Sequence, residues 1–130
     1  GTEFRIEYFI EYMDRYRNSD QIHYRQLLDS YRHKYSGKKI DLVIAFSAPA
    51  LDWVINHSDE IFPQTPIVFT AILKEQLKTL DLKANVTGVL VDIDFAGLLE
   101  TALKIRPQTR QIAIVNGASK TDLFFEKKFE

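Results

Sequence analysis

Ser47 stands where a strand-forming run, Ile40 to Phe46, gives way to a helix-forming one, and an α/β hydrolase would hold its serine nucleophile at such a junction. Ala45, Phe46, Ala48 and Pro49 supply none of the glycines that flank a nucleophile turn, which weighs against acyl transfer. Ser47 reads first as a helix N-cap, with Pro49 in the opening turn. It reads second as a ligand contact, because the unpaired amides of a helix start attract a carboxylate or another anion. Asp92 and Asp94 sit two apart at a later strand-to-helix junction, where carboxylates serve as turn and cap more readily than as a metal pair with too few other ligands. His23, His33 and His57 fall on polar stretches of three helical regions without ligand spacing, so all three are expected at the surface. Asn116-Gly117-Ala118-Ser119 is a glycine-containing strand-to-helix turn, a weak anion signal that lacks the phosphate-loop pattern. With no cysteine in the chain, thiolate catalysis and cysteine-ligated metals are excluded.

The elements that position these residues follow from hydrophobic periodicity. Ile40 to Phe46 is a nearly unbroken apolar run, which suits a strand buried on both faces and places it at the sheet's centre. Phe4–Met13 alternates and then shifts phase at Phe9, which predicts a strand with a bulge. From Asp20 the spacing of Tyr24, Leu27, Leu28, Tyr31 and Tyr35 predicts an amphipathic helix, capped by Ser19 or Asp20 and stopped at Ser36-Gly37. The helix after Ser47 buries Leu51, Val54 and Ile55 and ends before Phe62-Pro63; Trp53, opposite that stripe by helical angle, is expected to be partly exposed or to face a partner. Strands follow at Ile67–Ile72 and Val86–Val91, with a short helix near Glu75 to Leu80 between them and close backbone approach expected at Gly88. Asp94 caps a helix carrying Leu98, Leu99, Ala102 and Leu103, Pro107 lies past its end, and a last strand, Gln111–Val115, leads to a helix opened by Ser119. The fold class is α/β, mainly a parallel sheet with helices on both faces, of Rossmann-like or flavodoxin-like kind.

Composition bounds the function. The 130 residues are 45% hydrophobic and 27% charged, an ordinary globular balance, and the formal charge is −1 with pI near 6.4. Lysine and arginine are spread along the chain with no basic footprint, so nucleic acid is not an expected partner. No run of about 18 apolar residues is present, and the N-terminus lacks the order of a signal peptide. A receiver-type phosphoacceptor would need an aspartate where the central run ends in Phe46 and Ser47. None of the five glycines forms a nucleotide-binding turn.

Five blocks in order carry a resemblance: Ile40-Asp-Leu-Val-Ile-Ala-Phe-Ser-Ala-Pro-Ala-Leu; Pro63-Gln-Thr-Pro-Ile-Val-Phe; Asn85-Val-Thr-Gly-Val; Ile105-Arg-Pro-Gln-Thr-Arg-Gln-Ile-Ala-Ile-Val; and Glu11-Tyr-Met-Asp14 with Tyr31-Arg-His-Lys-Tyr-Ser-Gly37. The chain resembles the ABC-transporter substrate-binding-protein-like family of type 1 periplasmic binding proteins, in the variant fused to membrane sensor histidine kinases. The resemblance implies two α/β lobes closing on a small ligand, no catalysis and no cofactor or metal in this domain, a periplasmic location and a membrane-anchored, kinase-bearing full-length protein. The alternatives are a solute-binding component of an ABC transporter and a small hydrolase using Ser47. It assigns residues 1–107 to most of lobe one and 108–130 to the first strand and helix of lobe two. The family has a further strand, preceding Phe4, between the segment Phe4–Met13 and Ile40–Phe46. A chain without it is expected either to move Gln111–Val115 into the gap or to exchange elements with a second copy as a homo-oligomer.

Ligands of open α/β sheets bind at the carboxyl ends of strands. Those ends bring Asp14, Ser47 with Ala48, Thr70 with Ala71, and Asn116 with Gly117 toward the edge that faces the cleft, if the resemblance holds. Phe46, Ile72 and Trp53 are the expected apolar walls, and the small Ala48 and Ala71 leave room for an amino acid or a small organic anion.

Overall fold

Three apolar runs pair into a parallel sheet in the computed structural model, which describes residues 5–15, 17 and 20–129. The strands are β1 (Val43–Phe46), β2 (Ile67–Ile72) and β3 (Val86–Leu90), in the order β1-β2-β3. Val43 pairs with Ile67, and Ile67 with Val86, so alternate residues of all three strands share a face. Asn85 donates to the Thr65 carbonyl at 2.9 Å, and the Thr65 hydroxyl donates to the Ile40 carbonyl at 3.1 Å, which ties the amino ends of the three strands together.

Before the sheet comes α1 (Gln21–Tyr35), and α2 (Ala48–Ile61) connects β1 to β2. Asp20 caps α1, its carboxylate accepting from the His23 amide at 2.6 Å; Ser19, the alternative cap, lies outside the described residues. Gly37, at φ 72°, takes the left-handed position past the end of α1. The expected stripes are observed. Tyr31 and Tyr35 of α1 and Leu51, Val54, Ile55 and Ile61 of α2 join Ala45, Ile67, Phe69 and Ile72 in one core, with Tyr24, Leu27 and Leu28 packed at its margin. After β2 a short helix, α3 (Lys74–Leu77), is capped by the Gln76 side chain, which accepts from the Leu73 amide at 3.0 Å.

Four expectations are corrected here. The run Ile40–Phe46 is an edge and not the centre of the sheet: β2 pairs on both sides, and among the described residues nothing pairs with β1 on its far side. Apolarity predicted burial on both faces, but within the unit that ends at Leu90 helical cover lies on one. Ile44, Phe46 and Val89 remain 55%, 65% and 67% exposed on the other. Trp53 is buried, 6% exposed, because α1 crosses α2 and lays Tyr31 edge-on against the indole, ring centroids 5.4 Å apart. The described part of Phe4–Met13 carries no ladder; its side chains anchor to α1 instead, with Glu11 accepting from Lys34 and from the Tyr35 hydroxyl and Phe9 standing edge-on to Tyr35. Phe4 itself lies outside the described residues.

Gly88 meets its expectation of close approach, since its backbone lies against Phe69 of β2. Between Phe69–Gly88 and Ile72–Leu90 the register shifts, and Ala71 sits at φ 59° within that irregularity. The extra residue turns Ile72, fully buried, back toward the core and away from the face it would share with Val68 and Thr70.

The second unit runs from Val91 onward and contains α4 (Phe95–Ile105) and α5 (Lys120–Glu126). Asp94 caps α4 through the Gly97 amide at 2.8 Å, as expected. Phe95 approaches Phe125 and Phe129 at centroid distances of 5.9 and 5.1 Å. Gln111–Val115 is not a strand: among the described residues of this unit there is no other strand to receive its backbone groups. This division by contacts differs from the lobe division at 107/108, which rests on the resemblance alone.

Candidate functional site

The carboxyl edge of the sheet is assembled by the pairing of β1 with β2. Phe46 is in register with Thr70, and one residue further the Ser47 amide donates to the Thr70 carbonyl at 3.0 Å, so Ser47, Ala48, Thr70 and Ala71 come together. Strained backbone marks this edge at the start of the β1–α2 connection and within the last residues of β2. Ser47 lies at φ 78°, ψ 155°, a region almost confined to glycine, and Ala71 at φ 59°. Such outliers cost about 1–3 kcal/mol each and concentrate at functional sites.

Ser47 departs from the N-cap reading in one respect. It occupies the cap position of α2, but its side chain makes no capping hydrogen bond. The positive φ turns the hydroxyl away from the amides that a cap in the usual extended conformation would reach. Among the described residues the Ala48 and Ala50 amides have no hydrogen-bond acceptor and Pro49 has no amide hydrogen, while the Leu51 amide donates to the Ser47 carbonyl at 3.1 Å. They form the positive end of a 14-residue helix.

Sequence reasoning chose Asp14 at this edge; the residue placed there by a contact is its neighbour Arg15. The Arg15 guanidinium donates to the Pro49 carbonyl at 2.8 Å and to the Tyr24 hydroxyl at 3.0 Å, and lies 5.3 Å from the Tyr24 ring centroid. A fixed cation thus stands beside the first turn of α2, with donors in a planar fork suited to a carboxylate. Asp14 is exposed, in the left-handed region at φ 46°, and 4.0 Å from Arg17. The sequence signal for Arg15 was its place at the end of the Phe4–Met13 run, beside the residue that was chosen.

Of the apolar walls, Phe46 is exposed beside Ser47, on the face it shares with Thr70. Ile72 is withdrawn into the core by the irregularity at Ala71, and Trp53 into the layer between α1 and α2, so neither lines this edge. Asn116 and Gly117 belong to the second unit. There Asn116 donates to the Asp122 carbonyl at 2.7 Å, and Asp122 and Ser119 cap each other across the start of α5, which holds the Asp122 carboxyl below its ordinary range. An open hollow of about 420 Å³ adjoins them, lined by Ile114, Glu126 and Phe129 as well.

The histidines are less uniform than expected. His33 is exposed, whereas His23 bonds the Met13 carbonyl at 3.1 Å. His57 is half-buried with its ring 4.8 Å from that of Trp53, and burial, then the nearby Arg32 charge, lower its pKa from 6.5 against a smaller opposing pull from Asp52. Around it, Tyr31 Oη, Trp53 Nε1 and His57 Nδ1 are buried without hydrogen-bond partners among the described residues. Burial, with a lesser contribution from Glu11, pushes the Tyr31 hydroxyl up to about 12. Among the described residues no three histidine, cysteine or acidic side chains are grouped to hold a metal, and no helix is long and apolar enough to cross a membrane.

Comparison of the chain with protein-family models, curated proteins and solved structures found no match.

Proposed function

We propose that this chain is the ligand-receiving α/β lobe of an extracytoplasmic small-molecule sensor, of the type 1 periplasmic-binding-protein kind and borne by a bacterial membrane histidine kinase. The observation that carries the reading is the strained Ser47 at the carboxyl edge of β1, its hydroxyl not used for capping, at the start of a helix whose first-turn Pro49 carbonyl holds the Arg15 guanidinium. Backbone amides at a helix start together with a planar cation suit a carboxylate, and Thr70, Ala71 and exposed Phe46 leave room for a short side chain beside it. An amino acid or a small organic anion fits that chemistry. Binding is favoured over acyl transfer because no hydrogen bond joins Ser47 to a base among the described residues. Ligand-dependent closure of a second lobe onto this edge would be the signal passed across the membrane.

Thermal-shift screening against amino acids and small organic acids tests the reading, since a ligand that binds the folded state raises its apparent stability. A hit is expected to weaken about tenfold or more in Ser47→Ala, the loss of one hydrogen bond to a charged group. Ser47→Gly is expected to weaken it equally while raising stability by about 1 kcal/mol, because glycine adopts this backbone without strain. Unchanged affinity in both Ser47→Ala and Thr70→Ala would move the site elsewhere. A complete gene without a transmembrane segment would remove the membrane-sensor assignment.

A further inference from the structure

Where α1 packs on α2, three polar atoms are buried without a hydrogen bond. Tyr31 of α1 and Trp53 of α2 are 7% and 6% exposed, and among the described residues Tyr31 Oη, Trp53 Nε1 and His57 Nδ1 have no partner. Their rings follow one another, Tyr31 edge-on to Trp53 at 5.4 Å and Trp53 tilted against His57 at 4.8 Å. A donor or acceptor that leaves water without finding a partner opposes the contact that buries it. Ring packing alone holds these groups in place, so the layer is closed against a resistance that the paired strands do not meet.

Of the three groups, His57 is the one whose charge changes near neutral pH. The charges around it are unevenly set. From α1, Arg32 brings a permanent positive charge; from α2, Asp52 exerts a smaller opposite pull. Glu60 and Asp59 of α2 are already engaged, by Arg32 and by Lys83, and Arg32 also pairs with Asp29. The three strands carry no charged residue, and Glu11, from the segment before α1, acts on Tyr31 and Tyr35. A proton on the imidazole therefore adds a second cation near Arg32 inside a layer that already leaves polar atoms unpaired.

We propose that this layer is an acid-sensitive contact, in which protonation of His57 releases α1 from α2 while the three-stranded sheet stays folded. Separation lets water reach the unpaired atoms and the imidazolium, so the open form takes the proton more readily than the closed one. Burial and Arg32 lower the closed-form pKa from 6.5, so the contact is intact above 6.5 and is lost as pH falls through the closed-form value. Once released, α1 is a 15-residue helix without its packing face, and a helix of that length is marginal alone. Tyr24 leaves with it, and its hydroxyl accepts one of the two hydrogen bonds that hold Arg15.

Trp53, the chain's single tryptophan, reports the layer directly. Its emission is expected to shift to the red as pH falls from about 7 to about 4.5, on the acid side of an ordinary histidine. Over the same range, amide exchange is expected to show α1 losing protection while β2 keeps it. The limit of that loss is about tenfold for each pH unit by which the closed-form value lies below that of free histidine. His57→Gln is expected to abolish both changes. Asp52→Asn, at an exposed position, is expected to move them to higher pH, because it removes the charge that favours the imidazolium in the closed layer. Emission that stays constant, or that dims without shifting, overturns the proposal, as does the same shift in a folded His57→Gln protein. Simultaneous loss of protection in α1 and β2, which is global unfolding, overturns it too, and so does an Asp52→Asn midpoint that fails to rise.

Discussion

Gly88→Val is expected to unfold the sheet, lowering stability by about 3 kcal/mol or more, and Gly88→Ala by about 2 kcal/mol. A Cβ at position 88 would fall on the Phe69 carbonyl oxygen and on the Phe69 ring. Neither can retreat cheaply: Phe69 is buried in the core, and its backbone lies in β2, which is paired on both sides. Only opening the β2–β3 ladder makes room. A domain of this size has about 5–15 kcal/mol of stability, so the valine variant removes a large share of it. Urea unfolding of both variants checks the claim, with Thr87→Val as an exposed neighbouring control in the same strand. A Gly88→Val protein within about 0.5 kcal/mol of the parent would show that β3 does not approach β2 as described.

Stability is expected to form a plateau between about pH 6.5 and pH 10 and to fall on both sides, with the steeper loss in alkali. On the alkaline side the folded-state pKa values are raised. Tyr31 moves from 10.0 to about 12, mainly by burial, and Tyr35 rises by burial and then by its 2.5 Å hydrogen bond to the Glu11 carboxylate. Above pH 10 the unfolded chain loses these protons while the folded chain still holds them, so stability present below pH 10 is lost as pH rises toward and through the folded values. At about 1.4 kcal/mol per unit, Tyr31 alone contributes on the order of 2–3 kcal/mol to that fall. On the acid side His57 has a lowered folded-state pKa. Its contribution is present above 6.5 and is lost as pH falls through the folded value, when burial and the Arg32 charge oppose protonation. Urea unfolding from pH 5 to pH 12 measures the profile. Tyr31→Phe is expected to flatten the alkaline limb at little loss near pH 7, because its hydroxyl has no partner to forfeit. An alkaline limb unchanged in Tyr31→Phe would contradict the burial of that hydroxyl.

Much of the candidate site was legible because strand ends and helix starts have local chemistry. An apolar run ending in serine and a proline-bearing helix start located Ser47 and Ala48, and the next apolar run located Thr70 and Ala71. The pairing of Phe46 with Thr70 then joined them. Arg15 was not legible: its role depends on a contact with Pro49, 34 residues away, which no local pattern encodes. The strain at Ser47 was hidden for a related reason, since serine there read as an ordinary cap, whereas the bond from its amide to Thr70 accompanies a conformation that serine does not choose alone.

The sequence by itself determined the α/β alternation. The residues of β2 and the ends of α2, the caps at Asp20, Asp94 and Ser119, and the need for glycine at position 88 follow from periodicity, capping and side-chain size, all of which act within a few residues. Only the tertiary structure decided which strand is central, which strand-forming segments find partners and which aromatic residues are buried. Ile40–Phe46 and Gln111–Val115 are as apolar as Ile67–Ile72, but apolarity states that a strand needs neighbours, not whether they are present. Among the described residues β2 has one on each side, β1 one, and Gln111–Val115 none. Trp53 was expected to be partly exposed or to face a partner, by helical angle from the stripe facing the sheet, and His57 was expected at the surface because it lies on a polar stretch without ligand spacing. The crossing of α1 over α2 supplied a second buried face, whose existence depends on Tyr31 and Tyr35 arriving from another helix.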